Sequence, residues 1–296
     1  MASVRGGHGL AALALVFNAF TWGVSWWPLR QFERQGLHPL WTTVLIFALA
    51  VLAITLARPQ AWRQLWRRPA LWVLVLASGT TNAAFNWAVT LGDVVRVVLL
   101  FYLMPLWAVL LARALLGEPL TPQALLRVAM ALAGAAVVLW PEQGGWPLPA
   151  NLAEALAVVG GFSFALNNVM LRKEAAQPEA ARALAMFGGG CLVAGLLALV
   201  LGLQGLVPAP PAPAWGWVLA MLALGALFLG SNLALQYGAA RLPANATAVI
   251  MITEVLFASA SAVALGAGRL TLQLVAGGGL IVAAALLASR EQGPGG

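Results

Sequence analysis

The sequence predicts an all-α integral membrane protein: ten transmembrane helices arranged as two inverted five-helix repeats. Three observations predict it. Apolar residues make up 62% of the 296 residues and charged residues only 8%, whereas roughly a quarter of a soluble domain is charged. Apolar stretches of spanning length alternate with short breaks carrying Pro, Gly and Arg. Polar residues inside those stretches recur at a fixed offset between the two halves.

The first stretch, 10–29, follows a short start bearing Arg5 and His8. It is long enough to span, has no convincing cleavage site, and reads as a retained helix, not a removed signal. Nine further stretches lie at about 39–57, 70–91, 94–116, 122–140, 151–171, 180–203, 215–238, 244–266 and 271–289. Each approaches the roughly 20 apolar residues that a hydrocarbon core requires. The breaks carry turn chemistry, among them Gly36-Leu37-His38-Pro39, Arg67-Arg68-Pro69, Gly92-Asp93, Pro119-Leu120-Thr121-Pro122 and the proline-rich 208–213. Thr121 before Pro122 predicts a helix N-cap with proline in the first turn. Trp62, Arg63, Trp66 and Arg67 predict a short helix lying in the interface. Pro105 within the fourth stretch predicts a freed carbonyl and a kink. The triplets Gly188-Gly189-Gly190 and Gly277-Gly278-Gly279 predict close helix packing; neither opens a phosphate-binding helix.

Orientation follows from the basic residues. With the N-terminus inside, Arg5, Arg58, Arg63, Arg67, Arg68, Arg113, Arg127, Arg172, Lys173, Arg182, Arg241 and Arg290 fall on the inner side. Arg30, Arg34, Arg96 and Arg269 fall on the outer side. Twelve against four predicts both termini in the cytoplasm. The net charge of +7 therefore reports topology and not a nucleic-acid partner. Most of the thirteen tryptophans, Trp26 among them, are expected in interfacial belts.

A shift of 150 aligns 82–123 with 232–273 without a gap. It pairs Asn82 with Asn232, Asn86 with Gln236, Trp87 with Tyr237, Thr121 with Thr271 and Gln123 with Gln273. A shift of 142 pairs Phe20 with Phe162, Thr21 with Ser163 and Arg30 with Arg172. Repeats of 1–149 and 150–296 follow, forming one transmembrane domain. An odd number of spans per repeat inverts the second half, which is a transporter architecture with the substrate site near the midplane.

Polar side chains inside lipid need a partner or a task. Asn18, Trp22 and Ser25/Trp26 share a face of helix 1; Asn82 and Asn86 share one on helix 3. Ser163 and Asn167 do so on helix 6, with Asn168 beside them, and Asn232 and Gln236 on helix 8. Four-residue spacing stacks each set into a stripe. Two readings stand for any one of them, interhelical glue or a cavity wall. Repetition of the stripes in both halves favours the cavity, with the stripes of helices 1 and 3 serving its outer half and those of helices 6 and 8 its inner half.

Glu254 is the one acid deep in an apolar stretch. In that setting a carboxyl group holds a proton or a substrate ammonium. The alternative is a protonated side chain bonded to Thr247, Thr253 or an Asn. Tyr102 either lines the pathway or packs. The candidate substrate-binding set is thus Asn18, Trp22, Asn82, Asn86, Tyr102, Asn167, Asn232, Gln236 and Glu254, with Glu254 also coupling to a proton or amine. An enzyme would need clustered acids, a His/Cys site or an activated nucleophile. His8 and His38 lie outside the spans, Cys191 is alone, and the acids are scattered, so no catalysis, metal or cofactor is expected. A passive channel or a sensor is the other alternative. The expected partners are a small-molecule substrate, the lipid bilayer and a coupling proton, with the chain a monomer or homodimer.

Short motifs along nearly the whole chain resemble the drug/metabolite transporter superfamily, specifically its EamA-type ten-helix branch. They are Trp22-Gly23-Val24-Ser25, Met104-Pro105, Leu116-Gly117-Glu118-Pro119-Leu120-Thr121, Thr253-Glu254 (with Val255 where the family has proline) and Ala267-Gly268-Arg269-Leu270-Thr271. The resemblance implies a bacterial inner-membrane carrier working by alternating access, typically exporting amino acids or related small metabolites. Some relatives import, and import or the efflux of cationic drugs is the alternative within transport.

Overall fold

The computed structural model describes residues 2–117, 119–141, 146, 148–239, 241, 250–251 and 253–291. All its regular elements there are helices. In the first half these are α1 (Ala2–Val24), α2 (Trp26–Arg34), α3 (Pro39–Ala57), α4 (Gln60–Trp66), α5 (Pro69–Leu91), α6 (Val94–Phe101), α7 (Met104–Leu116) and α8 (Pro122–Leu139). The second half supplies α9 (Leu152–Lys173), α10 (Glu179–Leu203), α11 (Trp215–Ala239), α12 (Thr253–Ala264) and α13 (Leu272–Glu291).

Seven helical stretches among the described residues are long and apolar enough to cross a membrane. They are Gly9–Arg34, Pro39–Ala57, Val94–Leu116, Pro122–Leu139, Leu152–Lys173, Glu179–Leu203 and Trp215–Leu235. Helix α5 has spanning length at 23 residues, but Ser78, Thr80, Thr81, Asn82, Asn86 and Thr90 lower its apolarity. Thr253–Ala264 and Leu272–Ala284 are shorter apolar helices. The expected ninth span, 244–266, begins outside the described residues, as does Thr247.

Two expected spans are broken. Ser25 separates α1 from α2, and Tyr102-Leu103 separates α6 from α7. The second break has a covalent cause. Pro105 stands in the first turn of α7 and has no N–H for the carbonyl of Phe101 four residues earlier. Gly161 of α9 packs directly on that carbonyl.

Helix ends follow the local chemistry. Thr121 caps α8, its Oγ1 accepting from the N–H of Ala124 at 3.1 Å. Gly117 ends α7 in the left-handed region at φ 71°, a conformation open to glycine without a Cβ clash. Asn151 caps α9 through the N–H of Glu154 at 3.0 Å. The expected interfacial helix is α4, whose Trp66 meets Trp72 edge-on at 4.9 Å between ring centroids. Trp26 departs from the expected belt: it is buried because its indole N–H donates to Ser261 Oγ at 3.0 Å.

The packing pairs have an exchange symmetry. Helix α1 packs on α11 and α12, while α9 packs on α5 and on α6–α7. Helix α3 packs on α10 and α11, α10 on α3 and α5, and α8 on α13. Swapping the halves maps each pair onto another of the set or, for α3–α10 and α8–α13, onto itself. Glycine makes the closest crossings possible: Gly79 and Gly189 bring α5 against α10, and Gly134 and Gly277 bring α8 against α13. Small residues serve this purpose in membranes, where lipid tails leave no hydrophobic force between helices and close packing must hold them together.

One end of the bundle is tied across the halves. Arg96 pairs with Glu154 at 2.7 Å, and Asp93 Oδ2 accepts from the N–H of Arg269 at 3.2 Å. Arg30 donates to the carbonyls of Val89 and Gly92 at the same end. Asp93 also caps α6 through the N–H of Arg96 at 2.9 Å. Asp93→Ala removes both acceptors and is expected to cost about 1–2 kcal/mol of stability. Asp93→Asn, which keeps an acceptor oxygen for the cap, is expected to retain most of it. Thermal unfolding in detergent reads the difference.

Candidate substrate cavity

The broken helices and the polar stripes meet around a cavity of about 390 Å³, within the roughly 300–1,000 Å³ typical of ligand sites. Asn18 and Trp22 reach it from α1, Asn82 from α5, Tyr102 from the α6–α7 break, Asn167 and Asn168 from α9, Asn232 from α11 and Glu254 from α12. Seven of the nine expected residues therefore share one space. Asn167, Asn168 and Leu171 lie near the end of α9, and Asn232 and Leu235 near the end of α11. The cavity thus leans toward the end of the bundle that carries Arg172, Lys173 and Arg182. The tied end, with Arg96 and Glu154, lies opposite. Residues from all four stripes border this one space.

Asn86 is not among the lining residues. It is fully buried and its amide donates to Thr43 Oγ1 at 2.9 Å, joining α5 to α3 as interhelical glue. The side chain of Gln236 lies outside the described residues. Glu254 finds a partner that residue spacing did not suggest: Tyr102 Oη donates to its Oε2 at 3.0 Å. The same hydroxyl lies 3.3 Å from the carbonyl of Met251. This pair joins the two halves at the break in the fourth span. Thr253, one of the expected alternatives, donates instead to the carbonyl of Ile250 at 2.6 Å.

The aromatic walls were missed. Phe47, Phe85, Phe101, Phe164 and Phe187 all line the cavity. Two carry a readable signal: Phe85 lies three residues after Asn82, and Phe164 three before Asn167, so each shares the face of a polar stripe. Trp22 rests on Phe228, with ring centroids 4.5 Å apart and planes 28° off parallel. That stacking holds the indole against the cavity. Asn18 is fixed by Ser231, donating to its carbonyl at 2.9 Å and its hydroxyl at 2.7 Å.

A multi-pass helical bundle with two exchange-related halves around a largely apolar central cavity, with amides and one carboxyl group in its described wall, has the architecture of a membrane transporter. Comparison with known proteins gives the same class. The model of the EamA-like transporter family matches residues 9–140 and again 151–290, one match per half. The chain belongs to this family, within the drug/metabolite transporter superfamily. A curated relative, the uncharacterized transporter PA0485 of Pseudomonas aeruginosa, is 37% identical over 117 residues. That match spans 38% of this chain and 38% of the relative. A solved structure titled "Crystal structure of protein" superposes with a TM-score of 0.58 at 21% identity, covering 95% of this chain and 96% of that one. That likeness concerns the fold.

Proposed function

We propose that this chain is a secondary transporter that moves a small amine-bearing metabolite, an amino acid or related amine, across the bacterial inner membrane by alternating access. In this reading ten spans form inverted repeats of 1–149 and 150–296, with both termini in the cytoplasm and export as the working direction. The observation that carries it is the Tyr102–Glu254 pair. Glu254, the one carboxyl group among the described lining residues, meets Tyr102 in a cavity bordered by both halves. A carboxylate there binds an ammonium group or a proton, which supplies either recognition or coupling. The ties among Trp26, Arg30, Asp93, Arg96, Glu154, Ser261 and Arg269 hold one end shut while the cavity leans toward the other. Exchange of that asymmetry between the halves is what alternating access requires. Asn86 and Gln236 take no part in the argument.

Proteoliposomes containing the purified chain test this. Saturable counterflow of a radiolabelled amine or amino acid is expected, accelerated when unlabelled substrate is loaded on the far side. Flux that rises linearly with concentration and shows no counterflow would identify a channel instead.

A further inference from the structure

Two amides of the cavity wall, Asn18 and Asn167, keep a buried oxygen that accepts no hydrogen bond among the described residues. Asn18 directs its amide N–H groups at Ser231, one of whose atoms is a backbone carbonyl that can only accept. The orientation of this amide is therefore fixed by chemistry, and its Oδ1 is left over. That oxygen is buried and receives no hydrogen bond among the described residues. Asn167 donates its N–H to the side-chain oxygen of Asn168 at 3.3 Å, and its own Oδ1 is buried without a donor among the described residues. Asn82 likewise turns its N–H to the carbonyl of Ser78 at 2.8 Å. The exposure of the whole residue is 1% at Asn18 and 3% at Asn167, so bulk water does not compensate either oxygen, and buried acceptors are costly without a donor.

The Glu254 carboxyl adds to these acceptors, and among the described residues no lysine, arginine or histidine lines the cavity. Ser78, Thr81, Tyr102, Asn168 and Asn232 complete the polar part of the lining, and the apolar walls are Trp22, Phe47, Phe85, Phe101, Phe164 and Phe187, with methionines and leucines between them. Aromatic faces attract cations. A ligand carboxylate would meet like charge at Glu254 in a low-dielectric space, with no cation to offset it.

We propose that the cavity selects a protonated primary or secondary amine on an apolar, ring-bearing body and discriminates against ligands that carry a carboxylate. The inference rests on the carrier reading of this cavity and narrows it: among amine-bearing metabolites the simple monoamine is preferred to the zwitterionic amino acid. The leftover oxygens require N–H donors, so a quaternary ammonium, which has none, satisfies the charge but not Asn18 and Asn167.

Four indole compounds separate these demands on one apolar body: tryptamine, tryptophan, N,N,N-trimethyltryptammonium and indole-3-propionate. Each is titrated calorimetrically into the purified full chain, and each is tried in counterflow from proteoliposomes. Tryptamine is expected to bind at least roughly tenfold more tightly than tryptophan and than the trimethyl compound, a difference of one to two charge-assisted hydrogen bonds. Indole-3-propionate is expected not to bind. Asn167→Leu is expected to lower tryptamine affinity by roughly fivefold or more and to narrow its advantage over the trimethyl compound. Equal or tighter binding of tryptophan, equal binding of the trimethyl compound, or no binding of tryptamine overturns the inference. Counterflow driven best by tryptophan overturns it while leaving the carrier intact. Tight tryptamine binding with no counterflow of any compound supports the amine site and overturns the carrier.

Discussion

Glu254→Gln is expected to lower saturable flux by roughly 10- to 100-fold, the equivalent of losing charge-assisted hydrogen bonds worth about 1.5–3 kcal/mol. The substitution is nearly isosteric and keeps an oxygen that can accept from Tyr102, so the join between the α6–α7 break and α12 is preserved. It removes the charge and the ability to take up or release a proton. A substrate ammonium then meets a dipole in place of an anion. If the same group couples transport to protons, the dependence of flux on pH flattens along with the rate. Both readouts come from one proteoliposome series, run at several pH values and compared with wild type at matched incorporation. Wild-type flux with a wild-type pH profile in the glutamine variant would remove Glu254 from recognition and coupling alike. Lost flux with an unchanged pH profile would retain it as a binding group and place coupling elsewhere.

The fold was legible because lipid simplifies the code. A spanning helix must be apolar along its whole length, so hydropathy alone marked α3, α8, α9, α10 and α11 within a few residues. The repeat was legible because its evidence lay in polar residues, which are rare enough in such a chain for Asn82 and Asn232 to mean something at a common offset. Hydropathy marked α5 as well, whose polar residues, Asn82 and Asn86 among them, make it less apolar than those spans. A helix that serves a site is less apolar than one that only spans. The breaks at Ser25 and Tyr102-Leu103 were missed for a different reason. Apolar composition does not register a turn that stays inside the bundle, and only Pro105 gave notice of the second.

The site was legible in its amides and its acid, but not in the pairing. Tyr102 and Glu254 stand in opposite halves, and contacts at such separation leave no local pattern. Asn86 shows the limit of stripe arguments. Four residues advance an α-helix by about 400°, so Asn82 and Asn86 are offset around the axis by roughly 40°. That is enough for Asn82 to face the cavity while Asn86 turns to Thr43 on α3. The phenylalanines failed as signals because aromatic residues are also ordinary lipid-facing ones. Only their registration with the asparagines distinguishes Phe85 and Phe164, and it is clear once the polar stripe is taken as a face and not as a set of single residues.

Gly134→Val is expected to destabilise the bundle by about 1–3 kcal/mol, the range for overpacking a tight contact, and to leave ligand affinity in the folded fraction unchanged. At Gly134 an added Cβ would lie 2.6 Å from the carbonyl oxygen of Gly277 and 3.1 Å from the backbone nitrogen of Ile281. At Gly277 it would lie 2.7 Å from the carbonyl oxygen of Gly134. The obstacles include backbone on both sides, so no rotamer change relieves them and α8 and α13 must separate. Separation forfeits van der Waals packing, and lipid offers no hydrophobic force to restore the contact. Gly279 is the internal control. It stands two residues from Gly277 on the same helix, yet a Cβ there meets nothing within 4 Å, so Gly279→Val is expected to be neutral. Unfolding in detergent gives the stabilities, and calorimetric titration gives the affinity. Equal stability of the two variants would discount the crossing. Weakened ligand binding in folded Gly134→Val would show that α8 and α13, which among the described residues contribute no side chain to the cavity lining, nevertheless shape it from outside. The expected separation of stability from affinity instead assigns these two helices to holding the halves together, and recognition to the helices that line the cavity.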